Sequence, residues 1–218
     1  MKKQALTIIA LAALTATSIS CKDSSKKDAI AQSDVATAVA QPSSQKYTAD
    51  VAASSITWKG FKPTGSHSGT LNIKSGALNY NNNSITSGAF VIDMTSIVVT
   101  DIPATEEANG QLLGHLKSPD FFNVAAHNTA TFNITGTSTN AGKTILAGNL
   151  TIKGIKQNIS FPVNVSKNGN SITLASESFK IDRTKWDIKY KSKTIFGDLG
   201  DKFINDDIEL KFIVKATL

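Results

Sequence analysis

From Tyr47 to the C-terminus, apolar and polar residues alternate with a period of two, the spacing of strands that bury one face and wet the other. The clearest run spans 155–165. Ile155, Ile159, Phe161, Val163 and Val165 share one face, interrupted by Gln157, and polar residues take the other. Just before it, Leu146, Gly148, Leu150 and Ile152 alternate with Ala147, Asn149, Thr151 and Lys153. Gly154 between the runs suits a tight turn, so 144–166 reads as a hairpin. Pro162 has no amide to donate and marks an edge, bulge or gap. Near the end, Ile204, Asp206, Ile208, Leu210, Phe212 and Val214 oppose Asn205, Asp207, Glu209, Lys211 and Lys215, a half-buried strand.

Further strands are expected at 54–61, 67–79, 85–95, 129–138 and 171–182. The last changes face between Leu174 and Phe179, which predicts a bulge near Ser176. The total is about eight strands with mostly short connections, so neighbours should pair antiparallel. An up-and-down barrel would remove every exposed edge. A β-sandwich with a filled core satisfies the same pattern, and the pattern alone leaves both open.

Between Thr100 and Asn123 the period changes. Thr105-Glu106-Glu107 places a capping residue and two acids where a helix N-terminus favours them, and Leu112, Leu113 and Leu116 follow at helical spacing. One helix of about ten residues is expected, then a single turn opened by Ser118-Pro119-Asp120. The adjacent Phe121 and Phe122 need burial, so this segment should close or line one end of the sheet.

The first residues follow another logic. Lys2 and Lys3 precede a short apolar stretch from Ala5 to Leu14, and small residues lead to Ser18-Ile19-Ser20-Cys21. Residues 1–20 therefore read as a secretory signal. Cys21 is the only cysteine, which excludes a disulfide framework and a CxxC site. Its place resembles that of the bacterial lipoprotein cysteine, which becomes the acylated first residue, although Ser18 stands where that motif usually has Leu. The expectation is export across the inner membrane of a Gram-negative bacterium and anchorage in the periplasm or outer membrane through acylated Cys21. The alternative is ordinary cleavage and a soluble periplasmic protein. Residues 21–46, rich in Ser, Ala, Gln and Lys and without an aromatic, read as a flexible tether to a domain over 47–218.

Net charge is +6, but from Tyr47 onward 17 Lys and Arg face 14 Asp and Glu. That is too mild and too dispersed for a nucleic-acid surface. His67, His115 and His127 are far apart and form neither HxH nor HExxH; no GxSxG, Walker loop or GxGxxG is present. Asp206 and Asp207 point to opposite strand faces, and with Asp198 and Asp201 they read as a solvated turn. The chain thus offers no catalytic pair, no metal site and no cofactor motif. Oligomeric state has no signature in it.

Five motifs in order give the chain a resemblance to the YceI-like domain family over residues 47–218. They are Tyr47-Thr48-Ala49-Asp50 with Ser55-Ile56-Thr57-Trp58 and His67-Ser68-Gly69; Ile92-Asp93-Met94-Thr95-Ser96-Ile97; Gly114-His115-Leu116-Lys117-Ser118-Pro119-Asp120-Phe121-Phe122; Gly148-Asn149-Leu150-Thr151-Ile152-Lys153-Gly154; and Ile181-Asp182-Arg183-Thr184-Lys185-Trp186. The resemblance implies an all-β, eight-stranded antiparallel, lipocalin-like barrel with one short helix-turn insertion, holding a long isoprenoid or similar lipid. Asp187 departs from the pattern, since many relatives have Gly there. On this footing Trp58, Phe90, Phe132, Leu150, Ile152, Phe161, Leu210 and Phe212 are candidate contacts to an apolar chain, with Trp186 beside them. His115, Lys117, Arg183 or Lys185 are candidates to meet a phosphate or carboxylate head at a mouth. The expected function is lipid binding without turnover. The alternative is a packed-barrel structural or stress-related envelope lipoprotein.

Overall fold

One-sided alternation closes on itself in the computed structural model, which describes residues 36–40 and 43–218. Cys21, the signal segment and most of the expected tether lie outside the described residues. The strands are β1 (Gln45–Lys62), β2 (Gly65–Asn81), β3 (Ser84–Val99), β4 (Thr129–Asn140), β5 (Lys143–Ile152), β6 (Ile155–Asn168), β7 (Ser171–Ser176), β8 (Phe179–Asp182) and β9 (Asp207–Thr217). From β1 to β7 each pairs antiparallel with the next, β7 and β8 pair with β9, and β9 pairs back onto β1. β7 and β8 form one interrupted stave: Ala175 sits opposite Ile213 and Phe179 opposite Leu210, with the break at Ser176 to Ser178. There the Ser176 hydroxyl accepts the Phe212 amide at 2.9 Å, replacing a lost ladder bond. The result is a closed eight-stranded antiparallel barrel, so the filled-core sandwich is excluded.

Several boundaries differ from expectation for local reasons. β1 starts at Gln45, inside the segment assigned to the tether and well before residue 54. A register shift between Asp50 and Ser55 hides its alternation, because the Asp50 carboxylate accepts the Ala52 and Ala53 amides, each at 3.1 Å. The Ala38 amide also donates to the Ile134 carbonyl at 3.0 Å, so part of the tether lies against β4. β9 begins at Asp207 rather than Ile204. Ile204 and Asp206 instead make backbone bonds to Lys191 and Arg183.

The turn at Lys153-Gly154 has φ of 50° and 76°, two successive left-handed residues that match the twist of the flanking strands. Pro162 marks a gap as expected. β6 pairs with β5 along the hairpin, but its ladder to β7 begins only at Val163. Beside the unpaired half of β6 sits a 3-10 turn, Arg183–Trp186, that sequence periodicity did not announce. Gln157 Nε2 donates to the Lys185 carbonyl at 3.1 Å, and Trp186 Nε1 to the Leu150 carbonyl at 3.1 Å. The polar break in the apolar face of β6 thus fastens the turn that fills the gap.

A second opening lies between β3 and β4, which pair only from Ala89 to Asp93 on β3. Toward its C-terminal end β3 is met by α1 (Glu107–Lys117), the single α-helix among the described residues. Buried Asn109 holds its start by donating to the Val99 and Ile102 carbonyls at 3.2 and 2.7 Å. Thr105 does not cap it: the N-cap is Glu106, with no side-chain bond. Ser118-Pro119-Asp120 opens a single turn as expected, with the Ser118 hydroxyl accepting the Asp120 amide at 3.3 Å, and no second helix follows. The Ser118 carbonyl accepts both Phe121 and Asn123 amides, and left-handed Asn123 (φ 45°) turns the chain back.

Candidate functional site

Inward-facing positions of the strands leave two apolar spaces in the barrel. The first is a cavity of about 80 Å³, and all of its wall residues are apolar. Phe90, Phe132, Leu150, Phe161, Leu210 and Phe212 are among them. Phe161 stacks on Phe179 with centroids 4.1 Å apart, and Phe212 meets Phe161 edge-on at 5.5 Å. The second is a cavity of about 140 Å³, and Trp58, Leu150, Ile152, Leu210 and Arg183 line it. Four residues, Ile56, Ile92, Leu150 and Leu210, belong to both walls and form a shared waist.

The rings lie flat because glycine stands beneath them. A Cβ on Gly148 would fall 2.2 Å from Phe132 Cζ, and one on Gly69 2.7 Å from Trp58 Cζ2. On Gly76 the same atom would meet Phe90 at a comparable distance. Each aromatic thus packs over bare backbone on a neighbouring strand instead of reaching across the lumen. Gly148 was legible as part of a hairpin motif; its steric task was not.

The second space is capped by the interruption between β3 and β4. Leu116, Phe121 and Phe122 form part of its wall, so the helix-turn segment does close one end. Phe121 is buried and Phe122 half-buried. His115 lies edge-on to Phe121 and to Tyr190, with centroids at 4.9 and 4.5 Å, and its Nε2 meets Asp120 Oδ2 at 3.1 Å. His115 and Lys117 belong to neither cavity wall, although the His115 ring packs on Phe121, which does. Lys185 is exposed on the 3-10 turn, away from both walls.

Arg183 lines the second cavity, but as a buried side chain rather than at a mouth. It is 1% exposed. Its Nε donates to the Asn205 carbonyl at 3.0 Å, Nη1 to Ile188 at 2.7 Å and Nη2 to Ile204 at 3.0 Å, with Asp206 Oδ1 at 3.5 Å from Nη2. Burial lowers its pKa from the ordinary value, opposed by Asp206 and Asp182. The guanidinium fork thus ties the 3-10 turn to the strand entering β9, and its role is to hold the end of the barrel. Trp186, fully buried and bonded to Leu150, seals the gap beside β6 and lines neither cavity. Asp187 after it is left-handed, with φ 58° and ψ 29°, the conformation that glycine takes most freely. Asp206 and Asp207 serve different partners, Arg183 and Thr194 for the first and Lys180 for the second.

Wall residues that periodicity placed inward without singling out include Ile56, Ile73, Ile92, Leu146, Ile159 and Leu174. The parity that selected Phe90 and Leu150 would have selected them too. Met94, Ile97, Ile204 and Ile208 line the second space, and the alternation that placed Leu210 inward had already put Ile204 and Ile208 on its face. Among the described residues, no group of His, Cys, Asp and Glu is placed to hold a metal.

A family model of the YceI-like domain matches residues 47–216. No curated protein matches the sequence. The crystal structure of BcnA from Burkholderia cenocepacia shares the fold with a TM-score of 0.61 at 20% identity, covering 78% of this chain and 99% of that one. A polyisoprenoid binding domain from Saccharophagus degradans, implicated in plant cell wall breakdown, gives 0.55 at 15% identity, covering 78% and 97%. The Campylobacter jejuni YCEI protein gives 0.50 at 20% identity, covering 68% and 84%. At these identities the likeness is one of fold.

Proposed function

This chain belongs to the YceI-like domain family, and on that premise we propose that it binds one long, isoprenoid-like apolar chain in its barrel and performs no chemistry on it. The observation that carries the reading is the pair of apolar spaces meeting at the waist of Ile56, Ile92, Leu150 and Leu210. Two apolar spaces that share a wall suit an elongated ligand that parts their side chains. Removing its surface from water contributes about 25 cal/mol per Å², less the cost of ordering the chain. The fold likeness to a polyisoprenoid binding domain supports the same ligand class. Trp58, Phe90, Phe132, Leu150, Ile152, Phe161, Leu210 and Phe212 are the proposed contacts. Trp58 Nε1, the one buried side-chain polar atom among the described residues without a partner, gives this wall a donor for an oxygen on the chain.

The N-terminal proposal is separate. Export and acylation at Cys21 would hold the barrel close to the membrane that supplies such chains. Cys21→Ala should move the protein from the membrane to the soluble periplasmic fraction; unchanged fractionation contradicts it. The binding proposal is tested at the waist. Leu150→Trp narrows the passage at an overpacking cost of about 1–3 kcal/mol. Uptake of a long fluorescent prenyl chain should fall sharply while a chain short enough for one cavity still binds. Equal uptake of the long chain by native and variant protein would remove the waist from the account.

A further inference from the structure

The segment from Lys185 to Phe203 carries a surface feature that binding inside the barrel does not use. Ile195 and Phe196 are 43% and 48% exposed, the one adjacent pair among the exposed large hydrophobics of the described residues. The turn that presents them is held in place. The Phe196 amide donates to the Ser192 carbonyl at 3.0 Å, Thr194 Oγ1 donates to Asp206 at 2.7 Å, and fully buried Ser192 bridges to Ile204. Between residues 185 and 203 there are five lysines and three aspartates. Lys185, Lys189, Lys193 and Lys202 are exposed. Lys191 and Lys193 lie over the rings of Tyr190 and Phe203, at 5.4 and 4.8 Å, two aromatics of the same segment.

We propose that this loop docks the barrel on an anionic phospholipid surface. Ile195 and Phe196 enter the boundary between headgroups and acyl chains, and the lysines meet the phosphates. An apolar tip among lysines is what an interfacial anchor requires: the tip leaves water, while ammonium groups on long stems stay at headgroup level. A protein-binding hot spot is built differently, since lysine is depleted from protein interfaces. The placement gives docking a consequence. Ile204 and Asn205, which follow the loop, line the second cavity, and Tyr190 packs on Phe121 of the same wall at 5.7 Å. The membrane would therefore face the end of the barrel closed by the helix-turn cap.

The test uses the full chain carrying Phe196→Trp, a substitution at an exposed position, with the native chain as background for Trp58 and Trp186. Vesicles of brominated phosphatidylglycerol in phosphatidylethanolamine are compared with brominated phosphatidylcholine. The expected result is a blue shift and quenching at least about two-fold above background on the anionic vesicles, falling as salt screens the lysines. No quenching above background, including on vesicles that hold the protein by its N-terminus, overturns the proposal and leaves the tip to a protein partner. Equal quenching on both compositions overturns it as well. The readout is local to the loop, so its failure is distinct from a failure of chain uptake by the lumen.

Discussion

Replacing Arg183 with methionine separates two roles for the same residue. Its guanidinium donates to three backbone carbonyls and lies beside Asp206, all at a site 1% exposed. Methionine fills a similar volume but leaves the Asn205, Ile188 and Ile204 carbonyls and the Asp206 carboxylate without that donor. Each charged hydrogen bond contributes about 1.5–3 kcal/mol, and returning the buried charge to water recovers part of their sum. Breaking a buried ionic cluster by removing one partner costs about 3–5 kcal/mol, which is the expected loss here. In a domain of this size each kcal/mol moves the midpoint by about 2–4 °C, so Arg183→Met should melt roughly 6–20 °C lower. Urea unfolding followed by circular dichroism measures the free energy, and a thermal scan the midpoint. Arg183→Lys should recover only part of the loss, because one ammonium cannot span three divergent carbonyls. If Arg183→Met melts within about 2 °C of native while an acidic-headed chain binds more weakly, Arg183 is a headgroup contact and the clamp is wrong.

Three further predictions follow from the same geometry. Gly148→Ala places a Cβ 2.2 Å from Phe132 Cζ and 2.9 Å from the Asn133 carbonyl. It should cost about 1–3 kcal/mol in urea unfolding and reduce chain uptake as the ring is pushed into the lumen; a variant that folds and binds like native contradicts the packing described. Asp187→Gly relieves a left-handed residue and should stabilise by about 1 kcal/mol, the exposed contact to Lys189 being worth little; a lower melting point would show that contact to matter more. Burial alone would raise the Asp101 carboxyl, but the Ser68 amide at 2.7 Å and the His67 ring at 2.9 Å outweigh it and hold its pKa below the ordinary value. Its contribution is therefore complete above about pH 3.9, the unfolded value, and disappears as pH falls through the lower folded one. Asp101→Asn should be less stable at neutral pH and lose less stability on acidification through that range; parallel curves would refute the assignment.

Much of this barrel was legible because a strand with one wet face writes its orientation into every second residue. Phe161, Leu210 and Phe212 were placed inward by that parity alone, and the Ser176 bulge showed as a change of face. What that parity could not show depends on contacts distant in sequence. Arg183 is a charged residue in an exposed-looking motif, and nothing in its neighbourhood reveals that carbonyls from residues 204 and 205 converge on it. β1 was truncated because the Asp50 turn breaks alternation without a glycine or proline to mark it. His115 and Lys117 lie in the cap segment but line neither cavity, a distinction that helical spacing could not draw without knowing which face β3 receives. The glycines under Trp58, Phe90 and Phe132 are a cross-strand property, so they become visible only once register is known.

The central claim is that the lumen holds a chain. Native mass spectrometry of the protein purified without detergent from a cell that makes it tests this most directly. The account predicts an apolar adduct of one chain per barrel, lost on solvent extraction and regained when a long prenyl chain is added back. A bare mass in repeated preparations, with no uptake of added chain, would contradict it and leave a packed envelope barrel in its place.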